Sequence, residues 1–202
     1  MAGYELWRSP PCCPLLLECK HMVSQLSRIE PSHSLTHRQF PHVIEGLIQV
    51  FTCPHRSFFT NVMAQAFRVA GQGTPVLVVQ FLKGGIQQGP DHPVQMGQHL
   101  DWLRCDIPRC VNSPQPQEGE VDALQELWQH TQRVVLEGNY SLVVLDELSL
   151  AIRYDLIPLE EVLTFLKQRP NHVDVILTGP DMPDALMDLA DQVTHLRRNH
   201  RS

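Results

Sequence analysis

Leu47-Ile48-Gln49-Val50-Phe51-Thr52-Cys53-Pro54-His55-Arg56-Ser57-Phe58-Phe59-Thr60 is the stretch on which the reading of this chain turns. Residues 47–51 form a short apolar run suited to a buried strand. Beyond the loop, Phe59, Val62, Met63, Ala66, Phe67 and Ala70 recur at helical spacing, and Gly71 and Gly73 stop the helix. A strand, a short loop and a helix in this order are the setting of a phosphate-binding loop. In such a loop glycines turn backbone N–H groups towards the phosphates and a lysine neutralises them. Here the flanking strand and helix are intact, while the glycines and the lysine are missing.

Outward from this stretch the chain alternates strand and helix. Residues 75–82 are an almost continuous apolar run, of the kind found in parallel strands covered on both faces. Residues 83–93 are rich in glycine and proline and read as a loop, and residues 100–105 as a short strand. A polar, proline-bearing loop follows at 108–119. Residues 120–137 carry Leu124, Leu127, Trp128, Thr131, Val134 and Val135 on one side of a helix. Residues 141–145 make another buried strand, ending in Asp146-Glu147. Pro158 opens a helix running to about Lys167. Residues 173–177 are a strand, 182–189 a helix and 192–196 a final strand. This alternation predicts an α/β fold with a mostly parallel sheet and helices on both faces. Ligands of such sheets bind beyond the carboxyl ends of the strands, here Thr52, Lys83, Asp146-Glu147 and Thr178-Gly179.

Composition narrows the function classes. The 202 residues suffice for one domain with a real core. With a net charge of −6 and no long basic block, nucleic-acid binding through phosphate neutralisation is disfavoured. The apolar runs are far too short to span a bilayer, so no membrane role is expected. Six cysteines show no closely spaced pairs typical of a disulfide framework, which points to a reducing, cytoplasmic setting. Cys105 and Cys110 could contribute to a metal site only with further ligands such as His92 or His99, and free thiols near a surface loop are the preferred reading. The histidines at 55, 130, 172 and 195 share no metal-like spacing. Residues 1–41, with Ser9-Pro10-Pro11 and a polar run at 31–37, read as a mobile N-terminal extension ahead of the domain at 42–202. A short helix at 15–29 would have little to pack against, and translation from Met22 is an alternative to the written start.

Val143-Val144-Leu145-Asp146-Glu147 has the form of an acidic strand end that holds Mg²⁺ or water in nucleotide-binding folds. A solvated or helix-capping carboxylate pair explains these five residues equally well. The surrounding series is more specific: Val144-Leu145-Asp146-Glu147-Leu148, Tyr154-Asp155, Leu156-Ile157-Pro158-Leu159-Glu160-Glu161-Val162, Arg169-Pro170, Val175-Ile176-Leu177-Thr178-Gly179 and Asp188-Leu189-Ala190-Asp191. Together with Val78-Val79-Gln80-Phe81-Leu82-Lys83-Gly84 and Trp128-Gln129-His130, it resembles the P-loop-type ATP:corrinoid (cob(I)alamin) adenosyltransferases over about residues 46–198. The resemblance implies a P-loop NTPase-like fold. It also implies an activity in which Co(I) of a reduced corrinoid attacks the ribose 5′ carbon of ATP and triphosphate leaves.

In that family the loop after the first strand reads T-G-N-G-K-G-K-T-T. Aligned without gaps, Thr52 and Thr60 match, glycine becomes Cys53, His55 and Ser57, and asparagine becomes Pro54. Lysine becomes Arg56 and Phe58, and threonine becomes Phe59. Glycine conformations are costly for other residues, and Pro54 has no N–H to donate. Hydrogen bonds to charged groups contribute about 1.5–3 kcal/mol each, so several losses remove orders of magnitude of affinity. Counting back from Trp128 places Cys110 and Asn112 where the family carries an aromatic pair that helps displace the lower cobalt ligand. The chain ends at Ser202, without the glycine- and aromatic-bearing tail that the resemblance would lead one to expect.

On this reading Thr52, Arg56, Ser57 and Thr60 are what is left of a nucleotide site, and Asp146 and Glu147 what is left of a Mg²⁺ site. Arg56 and Ser57 near a helix N-terminus could form an altered anion site, although a solvated Arg56 or one paired with a surface carboxylate is preferred. Phe58-Phe59 is either buried core, the preferred reading, or a surface for a partner. Lys83-Gly84 reads as a structural turn in preference to a ligand contact. The first functional expectation is a non-catalytic family member that binds or regulates a protein partner. The alternatives are a working adenosyltransferase with an atypical loop, in which ATP, Mg²⁺ and a corrinoid are retained, or a sensor that binds nucleotide or corrinoid without turnover. A homodimer is compatible with the resemblance, and nothing in the sequence itself establishes it.

Overall fold

The computed structural model describes residues 45–84 and 88–197. The expected N-terminal extension, the helix at 15–29 and the question of Met22 lie outside them. The elements in chain order are β1 (Ile48–Cys53), α1 (Thr60–Gly71), β2 (Val76–Gln80), β3 (Val94–Gln95), β4 (Leu100–Arg104), α2 (Glu120–Leu136), β5 (Leu142–Asp146), α3 (Leu148–Arg153), α4 (Leu159–Gln168), β6 (Asp174–Pro180), α5 (Asp184–Leu189) and β7 (Gln192–His195). Among the described residues the strands form one sheet in the order β3-β4-β2-β5-β6-β1-β7. Every pairing is parallel except that of β3 with β4. The α/β, mostly parallel architecture expected from the sequence is therefore present.

The central strands are buried on both faces, and the two-residue period of the strand separates two cores. Val50, Leu77, Val79, Val143, Leu145, Val175 and Leu177 face α2, α3, α4 and α5. Their alternates Phe51, Val76, Val78, Val144 and Ile176 face α1, through Val62, Met63, Ala66 and Ala70. On the first face Trp128 of α2 lies edge-on between Phe81 and Phe165, at centroid distances of 6.0 and 5.3 Å. Its indole N–H donates to Glu161 at 3.1 Å, so the one polar atom of this buried ring is satisfied.

Two elements were not anticipated. β3 is a two-residue antiparallel edge inside the glycine- and proline-rich segment, too short to leave a periodic signal. α3 follows β5 at once, through a left-handed Glu147 (φ 62°), and its six residues are too few to show helical periodicity. Pro158 lies at the N-cap of α4, just ahead of the first helical residue, where its missing N–H removes nothing from the helix. Cys105 is fully buried beyond β4, and burial pushes its thiol up to about 12; of the two thiols placed near a surface loop, only Cys110 is exposed. No described helix is long and apolar enough to cross a membrane.

Candidate functional site

The carboxyl ends of β1, β2, β5 and β6 bring the sequence-selected residues to one edge of the sheet. Parallel register places Gln80 beside Arg104 on one side and Asp146 on the other. A polar chain runs across these strands. The Trp102 and Arg104 side chains each donate to the Gln80 amide oxygen at 2.9 Å, and the Gln80 amide nitrogen donates to Asp146 at 2.7 Å. Lys83, just past β2, donates to the same Asp146 oxygen at 2.6 Å. The Thr178 hydroxyl, from β6, donates to the other at 2.7 Å and accepts the Glu147 N–H at 3.2 Å. Asp146 is thus fully buried with both oxygens occupied. Burial of a carboxylate is tolerable only with such partners.

Glu147 is held from the opposite side. The loop after β1 carries Arg56, whose Nε and Nη2 donate to the two Glu147 oxygens at 2.6 Å each. A bidentate fork of charge-assisted hydrogen bonds is among the strong ion-pair geometries. The third nitrogen, Nη1, donates to the Val111 carbonyl at 2.8 Å and to the Asn112 side-chain oxygen. The hydrogen bond to Glu147 is the main reason the guanidinium is held above its ordinary value despite partial burial. The Glu147 side chain is only 3% exposed. The surface pairing expected for Arg56 is therefore replaced by a pairing with a buried acid. Glu147 occupies the N-cap of α3 without a side-chain capping bond, so the solvated and helix-capping readings of the acidic pair both give way to ion pairing.

The loop itself has an ordinary backbone. A phosphate nest alternates right- and left-handed residues so that successive N–H groups converge. No residue from Cys53 to Phe59 has positive φ. Phe58 and Phe59 part ways: Phe59 is 1% exposed in the α1 core, whereas Phe58 is 45% exposed beneath the Lys83 ammonium, 4.8 Å from its ring centre. Thr52 is buried at the end of β1 with its carbonyl bonded to the Leu196 N–H, facing a surface pocket of about 280 Å³ that it shares with Cys53, Pro54 and His195. Ser57 is half-buried in the loop and Thr60 exposed at the first turn of α1. Of the residues selected from the sequence, Arg56 and Glu147 meet directly and Asp146 adjoins them; Thr52, Ser57 and Thr60 do not join that cluster through side chains.

Several pairings were missed. Gln80, Lys83 and Thr178 form the Asp146 cage; the sequence places Lys83 and Thr178 at the ligand edge but does not give their partner. The signal was available in principle: two adjacent acids between Val143-Val144-Leu145 and Leu148 sit in an apolar setting, and buried acids demand cations nearby. Gly84 does keep a tight turn, since a Cβ there would collide with the Ile107 and Arg109 carbonyls. Its lack of a side chain lets the 105–111 segment pass close by, where the Val111 N–H donates to the Leu82 carbonyl at 3.0 Å. Gly179, with φ of 144°, likewise leaves room for Ser149, whose hydroxyl donates to the Pro180 carbonyl at 2.6 Å. Cys110 and Asn112 are both exposed.

Comparison with known proteins agrees with the resemblance read from the motifs. Residues 44–202 match the family model described as ATP:corrinoid adenosyltransferase BtuR/CobO/CobP. The "Corrinoid adenosyltransferase CobA" of Salmonella typhimurium is 36% identical over 160 residues, 75% of this chain and 76% of that protein. The corrinoid adenosyltransferase of Escherichia coli is 34% identical over the same shares, and that of Pseudomonas aeruginosa 24% identical over 161 residues, 75% of this chain and 74% of its own. With its parallel sheet, its motif order and these matches, the chain belongs to the ATP:corrinoid adenosyltransferase family.

Proposed function

We propose that this chain is a family member with a lost phosphate loop and a non-catalytic, binding or regulatory role, exerted on another protein. The observation that carries the reading is the pairing of Arg56 with Glu147 across a loop that has no left-handed residue. A magnesium triphosphate needs converging N–H groups, a free cation at the phosphates and a carboxylate or hydroxyl for the metal. The donor set here does not fit it: Asp146 and Glu147 each hold an internal cation, Phe59 is packed in the core, and Pro54 has no N–H. Exchange of the glycines for residues with side chains supports the same conclusion. A working enzyme with Mg²⁺ on Asp146 and Glu147 would first have to break both ion pairs. A cytoplasmic setting fits the free thiols of Cys53, Cys105 and Cys110.

Titration calorimetry of the full chain with Mg·ATP, and separately with a cobalamin, tests the reading. No heat of binding is expected for either ligand at millimolar concentration. Micromolar Mg·ATP binding that disappears in Asp146→Asn would overturn the non-catalytic reading in favour of a retained enzyme. Cobalamin binding without nucleotide binding would favour a corrinoid sensor instead.

A further inference from the structure

We propose that Arg56 is a positioning residue, an internal counter-cation that occupies Glu147 and clamps the loop at 109–113 shut over the carboxyl edge of the sheet. The clamp deepens the non-catalytic reading and rests on it, because it names what keeps the site closed without a ligand. Four acceptors from two segments distant in sequence converge on one guanidinium: both Glu147 oxygens, the Val111 carbonyl and the Asn112 amide oxygen. Only a planar fork with several fixed donors can serve such a set at once; an ammonium is a point charge and has too few directions. The loop it holds is polar and proline-bearing, with Asn112, Ser113 and Pro114 exposed, so apolar burial contributes little beyond Val111. At its start the loop is also tied to α2 by the Arg109 guanidinium on the buried Glu120 at 2.8 Å, but over 111–113 its other ties are the Val111 N–H to Leu82 and a long contact of 3.4 Å from the Tyr154 hydroxyl to the Asn112 carbonyl. The electrostatic consequence is equally specific. Glu147 is almost fully buried and Arg56 neutralises it, so a divalent cation gains nothing from the site until that guanidinium is removed.

The test is hydrogen exchange on the full chain without nucleotide, comparing wild type, Arg56→Lys and the double variant Arg56→Met with Glu147→Gln. The double variant removes both charges together and so avoids stranding a buried carboxylate. Exchange of the Val111 N–H, the bonded amide of this loop, is expected to accelerate about tenfold in it, with β5 and α2 unchanged, and by less in Arg56→Lys. Unchanged protection of that loop overturns the clamp, as does a uniform acceleration across the sheet, which would make Arg56 a general stabiliser. A second readout is melting temperature with millimolar MgCl₂: Arg56→Met is expected to rise and wild type to stay fixed. An equal rise in wild type overturns the counter-cation role. These measurements contain no nucleotide or corrinoid, so ligand binding in the calorimeter would sink the non-catalytic reading alone, while their own failure would sink the clamp alone.

Discussion

Asp146 and Glu147 are neighbours in sequence, both buried and each 2.6 Å from a cation, yet they are held in opposite ways. Asp146 is caged by the sheet frame: Gln80 and Lys83 come from the end of β2 and Thr178 from β6, in register with it. Glu147 turns away from the strand through a left-handed backbone and depends on a guanidinium that a loop delivers. One carboxylate belongs to the rigid part of the fold and the other to its mouth. The contrast separates a charge held within the parallel sheet from one held by a loop at its carboxyl edge.

The largest expected effect lies on the frame side. Lys83→Met leaves the fully buried Asp146 without its cation, and breaking one side of such a buried pair costs about 3–5 kcal/mol. Denaturant unfolding should show that loss; a change near zero would mean that Gln80 and Thr178 alone satisfy the carboxylate. On the mouth side Arg56→Met should destabilise by less, about 2 kcal/mol, because the vacated loop admits water to Glu147. Adding Glu147→Gln should return most of that stability, and a double-mutant cycle reads the coupling directly. If the two single variants prove equal in cost, the distinction between frame and mouth fails. The smallest effect is expected from Phe58→Ala, which removes an exposed ring from beneath Lys83 and should change stability by no more than about 1 kcal/mol. A larger loss would place Phe58 in the frame beside Phe59.

The motif series found the family, because many short apolar and acidic segments in one order and spacing are more specific together than any single site residue. The strand runs at 75–82 and 141–145 and the helix at 120–137 were legible because their periods are long enough to count. β3 and α3 were not, being two and six residues long. Arg56 was selected for the right place and given the wrong partner. A bare sequence does not say that its loop and the end of β5 face each other, so solvation was the natural assumption. Lys83 is legible at the ligand edge but its pairing with Asp146 is not, for the same reason: the contact spans sixty-three positions of sequence. Phe58 and Phe59, one pair in the sequence, divide between surface and core because α1 begins at Thr60 and turns successive side chains apart.

By itself the sequence determined the sheet, its helices, the family and the absence of glycines from the loop after β1, since these follow from local period and from residue identity. Only the tertiary structure decided the fate of the charges. Parallel register sets Asp146 beside Gln80, and the topology carries β1 past β6 so that its loop reaches the end of β5. A buried carboxylate must then take whichever cation the fold brings within reach, and at Glu147 that cation is Arg56.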